Sequence, residues 1–362
     1  MEEGRISYVR RFVRSLPALL IALGAAYDYA TPLDFTGAPF LTAAAPLVAA
    51  PLYSQRGTIL TGVAAVAVLL ALRVARGGLH KAEAVTELVT VIVVSVLAVL
   101  VNLLVRRGQE RLASVREIAE AAQRAVLPEP AERIGGFQIA ARYEAAQEGA
   151  SIGGDLYAVQ DTPHGVRLIV GDVRGKGMGA VGAVAVVIGA FREAAEQEAT
   201  LEAVAQRLER ALARERTRRE GIEAREGFTT AVLAELPHGD AIVRLVNRGH
   251  PAPLLLYGDG TVRPLHATEP ALPLGMGELG TWPDRADEAG FPGGATLLLY
   301  TDGLSEARDA GGQFYDPGTG LAGRAEVLCE PGALLGVLSV EVRRHSGGGM
   351  ADDMALIAVR RP

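Results

Sequence analysis

Apolar positions follow two regimes along the chain. Up to residue 105 they form long blocks, Val13–Ala30, Pro39–Tyr53, Gly57–Leu72 and Leu88–Val105. A helix crossing the hydrocarbon needs ~20 apolar residues. The last block, LVTVIVVSVLAVLVNLLV, meets this best. The second is short and carries prolines, which suits a tilted or re-entrant segment. The pattern predicts an all-α transmembrane region of about four spans over residues 1–105. A cleaved signal peptide is disfavoured for the first block, because more spans follow and no small-residue cleavage site stands out.

Beyond residue 105 the period changes. In Gly108–Leu127, Leu112, Val115, Ile118, Ala122 and Val126 recur at spacings of three and four, which predicts a helix with one apolar stripe. Its plain reading is a linker lying on the next domain. Its sharper reading is a signalling helix that joins two copies as a homodimer. Pro128 and Pro130 end it. Short apolar or alternating runs then predict strands at Phe137–Tyr143, Leu156–Val159, Val166–Val170, Thr229–Leu236, Ala241–Val246, Pro253–Tyr257, Ala295–Tyr300 and Met354–Val359. Helical patterns fall at Ala180–Glu198, Leu201–Arg218 and Pro331–His345. Sequential hairpins with grouped helices predict an α+β domain, with helices covering antiparallel sheets. Arg214–Glu226 is a mixed-charge run, expected as a solvated helix end or mobile loop.

Charge adds orientation. Arg5, Arg10, Arg11 and Arg14 open the first span, and Arg106, Arg107 and Arg111 follow the last. Basic residues flank cytoplasmic ends, so both ends read as cytoplasmic and the span number as even. The first loop region, with Asp28 and Asp34, fits the outside; Arg73, Arg76 and Lys81 in the third strain that assignment. No ionisable residue lies mid-span, which gives transport no support. The expected location is the plasma membrane, multi-pass, with lipid as one partner and the remaining domain cytoplasmic. The net charge of −6 gives no basis for nucleic-acid binding. The single cysteine, Cys329, excludes an internal disulfide or a multi-thiolate zinc site and reads as a core residue.

The chemistry lies in aspartates. Asp155 in SIGGDLY, Asp172 in LIVGDVRGKGMG, Asp302 in LLLYTDGLSEA and Asp352–Asp353 in ADDMALIAV each sit near the end of an apolar run. Such a residue projects a carboxylate from the rim of a sheet. Taken singly, each is better explained as a turn residue or helix cap. Together they offer the oxygen ligands that magnesium and manganese prefer. No HExxH pattern or cysteine cluster points to zinc.

These motifs resemble a known family. SIGGDLY, GDVRGKGMGA, FTTAV, NRGHPAPLLL, LPLGM, LLLYTDGLSEARDAGGQFYD and ADDMAL follow the order seen in the sporulation-E branch of the metal-dependent protein phosphatases, the protein phosphatase 2C superfamily. The resemblance covers about Ala121–Arg361. It implies an αββα sandwich of two antiparallel sheets flanked by helices, and divides the chain into a membrane region (1–105), a linker or signalling helix (106–128) and a phosphatase domain (129–362). It implies hydrolysis of phosphoserine or phosphothreonine on a partner protein, with two or more Mn2+ or Mg2+ ions activating a water. The usual partners are anti-sigma-factor antagonists, which places the chain in sigma-factor regulation or signalling. Asp172 resembles the carboxylate bridging two metals, and the carbonyl of Val173 a second ligand. Asp302 and Asp352 resemble the remaining ligands of the other metal. Asp155 resembles the acid that ligates directly or holds water. Asp353 either ligates or supports the last ligand by hydrogen bonding.

There are departures and rivals. Eukaryotic members carry a histidine after the bridging Asp–Gly pair, where this chain has Val173–Arg174. The group that protonates the leaving oxygen is therefore unassigned. Arg174 reads as solvent-facing, with phosphate contact as its sharper reading, and His250 as structural. Gly153–Gly154–Asp155–Leu156 lacks the acidic fourth residue of a diguanylate cyclase signature, and Gly171–Gly179 breaks the P-loop pattern. A catalytically inactive phosphatase fold serving as sensor or binding module is the alternative from another class.

Overall fold

The computed structural model describes residues 2–31, 40–76, 82–146, 153–218, 227–280, 284–324, 330–350 and 352–362. Side chains of 2–11, 82–83, 111–120 and 122–124 lie outside this description. Cys329, Asp34, Lys81, the end of the mixed-charge run and most of the apolar stripe of 108–127 therefore lie outside it. Two compact units divide at Val115/Arg116.

The first unit is helical: α1 (Glu2–Ala30), α2 (Phe40–Leu52), α3 (Gln55–Ala75) and the start of α4 (Ala82–Val126). The expected fourth span and the expected linker helix are one continuous helix, because Gly108 alone does not interrupt the ladder. α2 is only 13 residues long and contains Pro46 and Pro51. Ala65, Leu69 and Val91 pack inside the unit, while Leu23, Leu60, Val63 and Leu104 face outward. This apolar exterior is the reverse of a water-soluble bundle. By length and composition, three described helices are able to cross a membrane: 55–75, 84–110 and 178–197.

Polar groups lie inside this unit. Arg73 is in the last turn of α3, and its guanidinium meets Asp28 at 3.2 Å and Glu87 at 2.5 Å. All three side chains are buried. Arg76 donates to the carbonyls of Asp28 and Thr31 at the end of α1. Neither arginine is an open-loop charge, as the sequence reading had it: both are compensated by carboxylates or helix-end carbonyls. Asn102 donates to the carbonyls of Ala50 and Tyr53.

The second unit has four layers. One sheet orders β1 (Arg133–Ile134), β2 (Phe137–Glu144), β11 (Met354–Arg360), β10 (Thr296–Tyr300), β7 (Leu254–Leu256) and β8 (Val262–Pro264). The other orders β3 (Asp155–Thr162), β4 (Gly165–Val173), β5 (Thr229–Leu236), β6 (Ile242–Arg248) and β9 (Asp287–Gly290). All described pairings are antiparallel. The sheets face each other. α5 (Met178–Gln197) and α6 (Leu201–Arg218) cover the second sheet; after two short helices, α7 (Asp302–Ser305) and α8 (Pro317–Leu321), α9 (Pro331–His345) covers the first. This is the αββα sandwich expected.

β11 shows why its sequence is apolar at every position from Met354 to Val359. Ala355, Ile357 and Val359 enter the core between the sheets, whereas Met354, Leu356 and Ala358 pack under α9. A strand buried on both faces loses the polar alternation of a half-exposed one. The same logic explains 178–197. It is apolar enough for a membrane, yet Val184, Val187, Ile188 and Phe191 are buried against the second sheet.

Candidate metal centre

Each sheet contributes two strand ends to one rim. Asp155 opens β3 and is the direct register partner of Asp172 near the end of β4. Asp302 follows β10 as the first residue of the short helix α7 (Asp302–Ser305). Asp352 and Asp353 immediately precede β11, which is paired antiparallel to β10. The hairpin register thus brings carboxylates distant in sequence to one edge.

Carboxylate oxygens of Asp155, Asp172 and Asp302 all lie within 4.8 Å of one another. Asp155 is buried and accepts from the Thr301 hydroxyl at 2.6 Å. Burial, then the charge of Asp172, raise its pKa well above the usual carboxylate range, against the pull of that hydrogen bond. Burial, followed by the charges of Asp302 and Asp352, pushes Asp172 up to about 7. Asp302 is raised by burial and then by the charges of Glu306 and Asp352. Carboxylates that are buried, and that also crowd one another, stay ionised more readily beside a compensating cation. The donors are all oxygen, which suits Mg2+ or Mn2+. The residues fit the ions that the resemblance implies.

The backbone is shaped to the same end. Val173 donates its N–H to the carbonyl of Gly154 at 3.0 Å. A Cβ on Gly154 would lie 2.0 Å from the Val173 carbonyl oxygen and 2.8 Å from Asp172 Oδ1. Glycine is needed there so that the two strand ends can close around the carbonyl named as a ligand.

The outer members differ. Asp352 is exposed and meets the Lys176 ammonium at 3.2 Å. Asp353 is buried, with Oδ2 accepting from the Tyr143 hydroxyl at 2.8 Å and Oδ1 from the Ala146 N–H at 2.6 Å. Both of its oxygens serve hydrogen bonds, which favours the supporting reading over direct ligation. Beside the cluster, a cavity of about 450 Å³ is lined by Asp302, Gly303, Glu306, Arg308, Met350 and Asp352, among others.

His250 is buried between the sheets. Its Nε2 lies 3.0 Å from the Tyr300 carbonyl and its Nδ1 3.0 Å from the Thr230 hydroxyl. A carbonyl only accepts, so Nε2 carries the proton and Nδ1 accepts from Thr230. Burial lowers its pKa to about 3. A ring so placed holds the sheets together, and the structural reading from sequence agrees. Arg174 is exposed, with its guanidinium 5.3 Å from the centre of the Phe228 ring. Sequence reasoning missed Thr301, Tyr143 and Lys176. Thr301 and Lys176 stand inside the quoted motifs, but only the fold aims them at Asp155 and Asp352.

Two antiparallel sheets flanked by helices, with an acidic rim between them, define the architecture of the protein phosphatase 2C class. Residues 162–362, more than half of the chain, match the family described as stage II sporulation protein E (SpoIIE), and the chain belongs to that family. Its second unit is a phosphatase domain of this type. The SiaA-PP2C domain of Pseudomonas aeruginosa is similar in fold, at 17% identity and a TM-score of 0.53 over 70% of this chain and 99% of that one. The RsbU and RsbW domains of Rv1364c from Mycobacterium tuberculosis align at 25% identity and a TM-score of 0.49, over 62% of this chain and 60% of that one. The phosphatase domain with a regulatory-domain fragment of SpoIIE from Bacillus subtilis aligns at 17% and 0.48, over 62% of each chain. This chain therefore spans less than two thirds of those last two.

Proposed function

We propose that this protein is a membrane-anchored, metal-dependent serine/threonine phosphatase that acts on a phosphorylated partner protein. The observation that carries this reading is the meeting of Asp155, Asp172 and Asp302 within 4.8 Å. Asp172, Asp155, Asp302, Asp352 and the Val173 carbonyl are the groups that would hold Mn2+ or Mg2+. When bound, two such ions supply charge that acidifies a water and offsets negative charge on the phosphoryl oxygens. The chain's own residues orient the donors. Thr301 fixes one oxygen of Asp155, and Tyr143 with the Ala146 N–H fixes Asp353 behind Asp352. The cavity of about 450 Å³ beside Asp302 and Asp352 gives a peptide access to the rim.

Residues 1–105 form the membrane region in this proposal, 106–128 the connecting and dimerising helix, and 129–362 the catalytic domain. Helices 55–75 and 84–110 are the best-supported spans. The meeting of Asp28, Arg73 and Glu87 supports placing the ends of α1 and α3 and the start of α4 on one side of the bilayer. That arrangement keeps the catalytic domain cytoplasmic. The partner, an anti-sigma-factor antagonist in sigma-factor regulation, rests on the family resemblance.

The test is manganese-dependent phosphate release from para-nitrophenyl phosphate and from a panel of phosphorylated antagonist proteins. Wild-type turnover, lost in Asp172→Asn and Asp302→Asn, is expected. No release with either metal would leave the inactive-module alternative standing.

A further inference from the structure

The acidic rim poses an electrostatic problem that two divalent ions alone would not remove. Asp155, Asp172, Asp302, Asp352 and Asp353 bring five carboxylates together. Two divalent ions offset four charges, and a phosphate monoester arrives with a charge of roughly −1.5 to −2. A further cation near the rim would ease the arrival of the phosphoryl group. Among the described ion pairs, Lys176 is the cation that reaches a candidate ligand, with Nζ 3.2 Å from Asp352 Oδ1. Other arginines near the rim are stacked on rings: Arg174 at 5.3 Å from the Phe228 centroid, and Arg308 at 4.3 Å from that of Phe314.

We propose that Lys176 is the phosphate-positioning side chain of this site. The inference rests on the phosphatase reading above. The Lys176–Asp352 pair is half exposed, at 49% and 56% of the side chains. Such pairs contribute little, so the ammonium swings at small cost from the carboxylate to an oxyanion beside it. An ammonium is a mobile point charge with three donors, suited to a phosphoryl group whose oxygens move during reaction. Its loop keeps it at the rim: Lys176 lies between Gly175 (φ 120°) and Gly177 (φ 80°), which turn the chain directly into α5. Gly177 caps that 20-residue helix without a side-chain hydrogen bond, and the first turn holds no acid. The helix's positive end reinforces the ammonium.

The test uses the full-length chain in detergent, with Lys176→Met and Lys176→Arg. Manganese binding is followed by thermal shift. Inorganic phosphate is the probe, its dissociation constant measured by calorimetry at saturating manganese, alongside kcat and KM for para-nitrophenyl phosphate. The expected result is manganese binding as tight as wild type or tighter in Lys176→Met, with phosphate bound about tenfold more weakly. Lys176→Arg recovers most of the phosphate affinity. Unchanged phosphate affinity in Lys176→Met, with wild-type turnover intact, overturns the inference alone, as does loss of manganese binding in that variant. A wild-type chain that binds manganese but neither binds phosphate nor hydrolyses the ester overturns the phosphatase reading and this inference with it.

Discussion

Asp172 is one pH lever of the site. Its value in the folded, metal-free chain is about 7, against ~3.9 for a free aspartate. A carboxylate raised in this way contributes stability that is full below the unfolded value and is lost as pH rises through about 7. Divalent cations compete with those protons and replace the lost stability at high pH. Manganese should therefore raise the melting temperature more at pH 8 than at pH 5.5, as read by differential scanning fluorimetry. Equal shifts at both pH values would contradict this. At the same scale, Gly154→Ala places a methyl group 2.0 Å from the Val173 carbonyl oxygen. The strand end has to move, and a misplacement of ~1 Å in a catalytic group costs ~100-fold. Manganese-dependent turnover should drop by about that factor while circular dichroism stays unchanged.

Among the elements, β4 joins the sheet to its covering helices through one buried arginine. Arg167 is fully buried and makes an ion pair with Glu235 of β5 at 2.6 Å. It also donates to the carbonyls of Ala195, Glu198 and Ala199 at the end of α5. Removing it leaves Glu235 Oε2 without its partner, while Oε1 stays paired with Arg244 at 3.0 Å, and strands three carbonyl groups. Arg167→Ala should destabilise the second unit by ~3–5 kcal/mol in urea denaturation. Adding Glu235→Gln should restore part of that loss, since the buried carboxylate then left with Arg244 as its one cation disappears. Strict additivity of the two changes would argue against the pairing as the cause.

At the scale of the whole molecule, residues 1–115 and 116–362 form two compact units. The second unit holds the candidate donors and both apolar cores of the sandwich. Expressed alone, it should stay in the soluble fraction and keep manganese-dependent hydrolysis within a few-fold of the full chain, whereas the full chain should sediment with membranes. Turnover that collapses on separation would mean that the membrane region activates the enzyme as well as tethering it.

Much of this architecture was legible from residue order. Thr229–Leu236, Leu201–Arg218 and Pro331–His345 form over the residues their patterns predict, since an apolar period marks the face that must be buried. The strand β9, Asp287–Gly290, was not foreseen. Its residues, DEAG, have no strand preference, and it forms because the edge of β6 offers it a register from Ile242 to Leu245. The join of the last span to the linker helix was equally hidden, because one glycine in a long helical pattern weakens a helix without ending it.

The carboxylates themselves could be named from sequence because each lies at one end of an apolar run, beside glycine or another aspartate. Which of them meet could not. Asp155 and Asp172 are joined by hairpin register, but Asp302 reaches them only when one sheet packs on the other. The tertiary structure also sets their surroundings: Asp353 accepts from Tyr143 and Ala146, and Asp352 faces Lys176. Residue identity along the chain determines what chemistry a side chain offers and which local element carries it. Distances between elements arise from packing, and the electrostatic cost of crowded carboxylates, on which the proposed cation site rests, exists only at those distances.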